Sequence, residues 1–130
     1  MFPSNVENLK NKEMRNDIIY LLTDSDKIEV NCDEILYVEN SLQFSRIIFL
    51  NEEKLETLMT IDEVENLLTD KGFFRFNNKY LVNLRFVQAV IPSDASKVIL
   101  ENGKEIFVSH NKKDELFKSL RIVYELHELA

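Results

Sequence analysis

Short runs of apolar and polar residues, most of them with a period of two, dominate the chain after residue 16. KIEVN at 27–31 alternates strictly, whereas KYLVNL at 79–84 is mostly apolar, and both patterns are typical of β-strands. Polar segments such as Asp24-Ser25-Asp26 separate the runs and are typical of turns. The pattern therefore predicts a mainly β fold of about ten short strands. The predicted strands lie at 17–23, 27–31, 34–40, 43–50, 54–60, 73–76, 79–84 and 85–91, with a hairpin at 96–109.

Two segments have the period of a helix instead. Thr60 and Glu63 have the spacing of a capping box, and Gly72 stands where a left-handed C-terminal cap belongs. A helix is therefore predicted at about 61–71. The chain closes with a second apolar stripe of helical spacing, which predicts a helix at about 111–128.

The dipeptide Asn102-Gly103 lies between two strand-like runs. A type I′ turn needs positive φ at both of its central residues, and asparagine and glycine tolerate that conformation best. We therefore predict a β-hairpin closed by a type I′ turn at this point.

A chain of 130 residues has the length of one domain. Its first sixteen residues have weak helical periodicity and no turn chemistry, so we predict an N-terminal helix or a linker remnant at 1–16. A single domain is predicted at 17–130.

The composition narrows the class of protein. A hydrophobic fraction of 45% is that of a globular protein. No apolar run approaches the roughly 20 residues of a membrane span, and the polar first residues do not resemble a secretory signal. A cytoplasmic location is predicted.

Cys32 is the single cysteine of the chain and cannot form an internal disulfide. Asp33 beside it would raise the pKa of its thiol, so we predict a structural role for this cysteine.

Charge is distributed unevenly along the chain. The net charge is −7, but residues 1–72 hold 7 basic and 16 acidic residues, whereas residues 73–130 hold 9 and 7. A phosphate backbone responds to a local basic face rather than to the charge of the whole chain. The unevenness therefore suits a nucleic-acid partner, although a short chain also reaches it by chance.

Catalytic and metal-binding patterns are missing from the sequence. The carboxylates occur in surface runs, the two histidines lie far apart, and two glycines are too few for a phosphate-binding loop. We therefore predict that the protein is not an enzyme and needs no cofactor, metal or small-molecule substrate.

Three polar residues, Asn77-Asn78-Lys79, interrupt the apolar strand sequence after Phe76. An asparagine amide can bond to adenine N6 and N7 together, and a lysine can contact a phosphate. Because asparagine also tolerates turn conformations, the composition of the segment by itself favours a simple turn. Both interpretations are open at this point.

Several blocks, in this order and spacing, resemble the LytTR family of bacterial DNA-binding domains. The blocks are EILYVE at 34–39, FFRFNNKYLVNL at 73–84, LENGKEIFVS at 100–109 and the helix that follows. Members of this family occur mostly at the C-terminal end of response regulators, in two-component systems. The resemblance implies an elongated fold of ten strands with short helices and a role in transcription regulation.

The resemblance also implies that loops at strand ends contact DNA. Mapped onto this chain, these loops contain Ser45 and Arg46, then Asn77, Asn78 and Lys79, and last the junction before the final helix, with His110, Asn111, Lys112 and Lys113. Backbone N–H groups at a helix N-terminus would independently favour a phosphate at that junction.

This chain departs from the family where a His-Arg-Ser tripeptide is common, because it has Asn77-Asn78-Lys79 there, and it lacks an arginine after Val108-Ser109. Arginine contacts guanine bidentately, so these changes should alter or weaken base preference. The alternative to sequence-specific binding of duplex DNA is therefore a domain that binds a protein partner or a second copy of itself. The chain has no room for a receiver domain, which implies either a stand-alone regulator or the output half of a longer one.

Overall fold

The fold is that of a computed structural model, which describes residues 17–91 and 97–129, with side chains up to Val123. The helix or linker predicted at 1–16 lies outside the described residues.

Ten strands and two α-helices make up the regular structure of the described chain, which confirms the mainly β prediction. Three one-turn 3₁₀-helices join them, at 32–34, 84–86 and 110–112. The strands are β1 (Ile18–Leu22), β2 (Lys27–Asn31), β3 (Ile35–Ser41), β4 (Phe44–Phe49), β5 (Lys54–Thr57), β6 (Phe73–Arg75), β7 (Tyr80–Asn83), β8 (Val87–Ile91), β9 (Lys97–Leu100) and β10 (Glu105–Phe107), and the helices are α1 (Ile61–Leu67) and α2 (Lys113–Leu129).

The strands form three antiparallel sheets. The central sheet has the order β5-β4-β3-β7-β6, while β1-β2 and β10-β9-β8 form two smaller sheets. Because β3 lies in the middle of the central sheet, it pairs with β4 on one side and with β7 on the other. The central sheet therefore joins residues that are about 45 positions apart in the sequence.

The two faces of the central sheet contribute to two separate hydrophobic cores. Tyr37, Ile48 and Val82 are paired across the strands and pack with residues of β8, β9, β10 and α2. Val38 and its partners on the opposite face, Ile47 and Leu81, pack with residues of β1, β2 and α1. Burial of both faces explains why β3 and β7 have nearly continuous apolar sequence.

Helix α1 begins as predicted and ends earlier. The Thr60 hydroxyl accepts a hydrogen bond from the Glu63 N–H at 3.2 Å, and the Glu63 carboxylate accepts one from the Thr60 N–H at 2.9 Å. The helix ends at Leu67 instead of at about residue 71. Asp70 takes a positive φ of 64°, and Gly72 takes 85°, so the backbone leaves the helical conformation before the predicted end.

The turn between β9 and β10 differs from the predicted type I′. Gly103 has a φ of +90°, whereas Asn102 is not among the residues with positive φ. The Gly103 N–H donates to the Leu100 carbonyl at 2.8 Å, and the Asn102 side chain accepts from the Lys104 N–H at 3.0 Å. Because the Leu100 N–H also donates to the Lys104 carbonyl at 2.9 Å, these two residues are paired and the loop consists of residues 101–103, with the positive φ at its glycine alone.

Cys32 is buried in the core, where burial raises its pKa to about 11. A thiol with this pKa is almost wholly protonated near neutral pH and is a poor nucleophile. The burial supports the structural role predicted for it.

No helix among residues 17–91 and 97–129 is long and apolar enough to span a membrane.

We predict that Gly103→Ala lowers the free energy of unfolding by about 1 kcal/mol, because a left-handed conformation is unfavourable for a residue with a Cβ. An added Cβ meets nothing within 4 Å, so the cost is one of backbone conformation alone. Urea denaturation measures it, with an unchanged m-value expected. Glu101→Ala is the matched control, at an exposed position of the same loop whose φ is not positive, and an equal effect of both variants would contradict the interpretation.

Candidate nucleic-acid interface

The turn between β6 and β7 is held by the side chain of Asn77. Its Oδ1 accepts hydrogen bonds from the N–H groups of Lys79 at 2.8 Å and Tyr80 at 3.0 Å. Asn77 therefore has the turn-forming role that was the simpler of its two interpretations. The side chains of Asn78 and Lys79 at the same turn are exposed.

The junction between β10 and α2 lies directly against this turn. The Asn77 Nδ2 donates to the Phe107 carbonyl at 3.1 Å, and the Ser109 N–H donates to the Phe76 carbonyl at 3.3 Å. Lys112 adds a third bond from its Nζ to the Arg75 carbonyl at 3.1 Å. Two of the three predicted DNA-contacting loops thus form one continuous surface, although about 30 residues separate them in the sequence.

Arg75 fixes the backbone of the β6–β7 turn and was missed by the sequence analysis. Its Nε donates to the Asn77 carbonyl at 2.8 Å and its Nη2 to the Asn78 carbonyl at 3.2 Å. Its Nη1 lies 2.8 Å from carboxylate oxygens of both Asp62 and Glu65, which belong to α1. The available signal was an arginine inside the apolar run FFRF, just before two asparagines. Such a residue needs partners when its side chain is largely buried.

The hairpin between β3 and β4 adjoins the other side of the same turn. The Asn40 N–H donates to the Lys79 carbonyl at 2.8 Å, and the Asn40 side chain donates to the Asn78 carbonyl at 3.3 Å. At the tip of the hairpin, Leu42 is fully exposed and has a φ of +23°. The first predicted loop region therefore reaches the surface through Asn40 and the hairpin tip.

Ser45 does not reach the surface. Its side chain is buried, and its hydroxyl lies 2.9 Å from the Met59 carbonyl and 3.2 Å from the Thr57 hydroxyl. The expected DNA contact of Ser45 is therefore corrected to a structural role, in which the residue links β4 to β5 and to the chain after it.

Arg46 is partly exposed, but two carboxylates flank it. Glu39 and Glu56 stand opposite Arg46 on β3 and β5, each with one oxygen 3.1 Å from the guanidinium. The hydrogen bond that Arg46 donates to Glu56, together with the charges of both glutamates, raises the pKa of Arg46. A phosphate near Arg46 would meet two negative charges, so we leave this residue out of the surface proposed below.

The junction itself exposes His110 and Asn111, whereas Lys112 and Lys113 are half-buried. A 3₁₀ turn precedes α2, and within it the N–H groups of Lys112 and Lys113 donate to the Ser109 and His110 carbonyls. The junction therefore offers fewer free N–H groups than the predicted helix N-terminus. A phosphate at this junction would therefore be attracted more by the positive side chains than by the backbone N–H groups.

A further lysine, Lys104, lies near the turn and was not singled out in the sequence. Its Nζ is 5.1 Å from the centre of the Tyr80 ring, and the Lys79 Nζ is 5.4 Å from the same ring. The edge is not uniformly basic, because Asp114 and Glu115 are exposed in the first turn of α2. Among the described residues, no group of three or more His, Cys, Asp or Glu side chains is arranged to hold a metal ion.

Comparison with known proteins identifies this arrangement of strands and loops. Residues 25–121 match the family model of the LytTr DNA-binding domain. The chain belongs to the LytTR family of DNA-binding domains. The matched region includes every candidate contact residue, whereas β1, which packs Ile19 and Leu21 into the core, lies before it.

Two curated relatives are 30% identical to the LytTR domain described here. One is Accessory gene regulator protein A of Staphylococcus epidermidis, matched over 102 residues, which are 78% of this chain and 42% of the relative. The other is sensory transduction protein LytT of Oceanobacillus iheyensis, for which the shares are 76% and 46%. The match thus covers less than half of each relative.

A solved LytTr DNA-binding domain from Bacillus cereus has the same fold. The TM-score is 0.66 at 22% identity, and the alignment covers 80% of this chain and 96% of that one. The likeness confirms the predicted mainly β LytTR architecture of ten strands and two helices.

We predict that Ser45→Ala lowers the free energy of unfolding by about 1 kcal/mol, because a buried hydroxyl loses its hydrogen bonds. The affinity of the folded variant for DNA should equal that of the wild type. Chemical denaturation and an anisotropy titration measure the two quantities. Ser25→Ala, at an exposed turn position, is the control and should change neither. Weaker DNA binding by fully folded Ser45→Ala would restore the contact that the sequence suggested.

Proposed function

We propose that this LytTR domain binds duplex DNA sequence-specifically and regulates transcription. The proposed contact surface consists of the β6–β7 turn and the β10–α2 junction, and we call it the turn–junction surface. Its contact residues are Asn78, Lys79, His110, Asn111, Lys112 and Lys113. The observation that carries the proposal is the set of hydrogen bonds that joins the two segments through Asn77, Ser109 and Lys112.

Rigid support favours base contacts by this surface. Arg75 and Asn40 bond to the backbone carbonyls of Asn78 and Lys79, so the turn is held from two sides. Within the described part of the chain, the Asn78 amide makes no hydrogen bond of its own and is exposed. Because the backbone that carries this amide is already held, the turn loses little conformational freedom when the amide bonds to adenine N6 and N7.

The positive side chains have a different role in the proposal. Lys79 is exposed at the turn, and Lys112 and Lys113 lie at the junction. Lysine contacts with phosphates supply affinity that depends on salt but not on sequence. Because the Lys112 ammonium already bonds to the Arg75 carbonyl, Lys79 is the better residue for testing this contribution.

Relatives support the regulatory part of the proposal. The family is one of DNA-binding domains, and the curated relatives are a gene regulator and a sensory transduction protein. We infer that this domain is the output part of a bacterial, cytoplasmic response regulator of a two-component system. A paired DNA site would also imply that two copies bind together.

One observation favours a second candidate function, the binding of a protein partner. A groove of about 500 Å³ lies between β2 and the β4–β5 hairpin. Its charged lining residues are Glu29, Glu34, Glu53 and Lys54, so acidic side chains outnumber basic ones. An acidic groove suits a basic protein segment rather than DNA.

One experiment distinguishes the two candidate functions, DNA binding and the binding of a protein partner. A randomised duplex pool is titrated by fluorescence anisotropy at two salt concentrations, and the bound fraction is selected and sequenced. Sequence-specific regulation predicts an enriched motif, repeated about one helical turn apart if two copies bind. Binding without enrichment would limit the interaction to the backbone, and no binding at low salt would favour the protein partner.

We predict that Asn78→Ala costs about 1–3 kcal/mol of binding free energy at one base position of the selected site. Competition titrations with single-base variants of the site measure the loss. The preference at that position should disappear while the preferences at the other positions remain. An equal loss on selected and random DNA would contradict the base contact.

Lys79→Gln should instead weaken binding to selected and random DNA equally. The slope of log affinity against log salt should become shallower by about one unit, as expected for the loss of one phosphate contact. Lys54→Gln is the matched control, because Lys54 is exposed beside the 51–53 turn, away from the turn–junction surface. A salt slope unchanged in Lys79→Gln, or changed equally in both variants, would argue against this role.

A further inference from the structure

Two tyrosine rings hold the ammonium group of Lys104. Its Nζ lies 5.1 Å from the centre of the Tyr80 ring and 5.7 Å from that of Tyr37. The rings stand nearly perpendicular, at 79°, with their centres 5.7 Å apart. The ammonium group therefore contacts two aromatic rings at once, which restricts the long and otherwise mobile lysine side chain.

The same Tyr80 ring also contacts Lys79, the exposed lysine of the turn–junction surface, whose Nζ is 5.4 Å from the ring centre. Lys79 precedes Tyr80 in the chain, whereas Lys104 comes from the β9–β10 hairpin. Two ammonium groups from different elements are thus gathered around one aromatic ring, which raises the local positive potential.

Neither ammonium group has a carboxylate partner among residues 17–91 and 97–123. Lys97 on the same hairpin is different, because its Nζ lies 2.8 Å from the Glu105 carboxylate. Glu39 stands opposite Tyr80 on the neighbouring strand, but its carboxylate bonds to Arg46. An aromatic ring attracts an ammonium group through its face and leaves N–H donors available, so both lysines can still bind an anion.

We propose that Lys104 and Lys79 together bind a phosphate of the DNA backbone, with Tyr80 and Tyr37 holding Lys104 in position. This inference rests on the proposed DNA binding and extends the contact surface from the β6–β7 turn to the β9–β10 hairpin. Lys104 contacts the phosphate itself, whereas the tyrosines are positioning residues.

A purely structural role for Lys104 makes a different prediction. Its methylene groups could serve only to cover Tyr37, which is buried and whose pKa burial raises to about 12. In that case Lys104→Met would retain the packing and leave DNA affinity unchanged. A phosphate contact requires the charge instead, so Lys104→Met would lose affinity and Lys104→Arg would restore it.

The first test compares salt dependence across matched variants of the full chain. Lys104→Met should make the slope of log affinity against log salt shallower by about one unit. The ratio of wild-type affinity to Lys104→Met affinity should therefore fall about three- to fourfold when the salt concentration is raised from 50 to 200 mM. Lys97→Met is the control, because Lys97 belongs to the same hairpin but is already paired with Glu105. Equal slopes for wild type and Lys104→Met would overturn the proposal.

A second test locates the phosphate. Single phosphates of the selected site are replaced, one at a time, by uncharged methylphosphonates. One replacement should weaken wild-type binding most and should have a smaller effect on Lys104→Met and on Lys79→Gln, because each variant keeps one lysine at this phosphate. The double variant Lys104→Met/Lys79→Gln should be insensitive to the same replacement. Additive losses at every phosphate would overturn the shared contact.

Tyr80 provides the test of positioning. Tyr80→Phe keeps the ring and should retain wild-type affinity and salt slope. Tyr80→Leu should weaken DNA binding at low salt while the folded state persists, as checked by circular dichroism. Unchanged binding by folded Tyr80→Leu would contradict a role for the ring. If wild type binds DNA but the Lys104 and Tyr80 variants bind as wild type does, the proposed phosphate contact of the β9–β10 hairpin is wrong, whereas the proposed DNA binding stands. Wild type that does not bind at all would remove the proposed function as well.

Discussion

Burial of both faces of the central sheet is the constraint on which the rest of the structure depends. β3 and β7 have an apolar core on each side, so a polar or charged side chain in the middle of either strand would be buried at a large desolvation cost. Polar and charged side chains are therefore displaced to the strand ends and turns. Glu39 and Tyr80, which face each other across β3 and β7, mark the point where the buried part of the sheet gives way to its polar end.

At that end of the sheet, both arginines form ion pairs within the protein. Arg75 bonds to the β6–β7 turn and to two carboxylates of α1, and Arg46 lies between Glu39 and Glu56. These arginines define the shape of the surface, and their charges are balanced. Lysines carry the positive charge that remains, and lysine suits phosphate contacts better than bidentate base contacts. In the DNA binding that we propose, base preference therefore depends on the amide and imidazole side chains of Asn78 and His110, which are exposed.

Support from several elements distinguishes this surface from a set of mobile loops. The β6–β7 turn is bonded to the β3–β4 hairpin through Asn40, to the β10–α2 junction through Asn77, and to α1 through Arg75. A turn held in this way loses little conformational entropy on binding. For the DNA binding that we propose, this preorganisation compensates in part for the small number of positive groups in an acidic chain.

The sequence by itself determined the strand pattern, the capping box at Thr60 and Glu63, and the order of blocks that indicates the family, because these depend on neighbouring residues. It also marked Asn77-Asn78-Lys79 as unusual. It did not distinguish Asn77, which forms the turn, from Asn78, which is exposed, or show that Ser45 is buried and Arg46 paired. Those outcomes, and the meeting of Lys104 with Tyr80, depend on contacts between strands distant in sequence. Only the tertiary structure decided them, because pairing partners and burial arise when the sheets pack together.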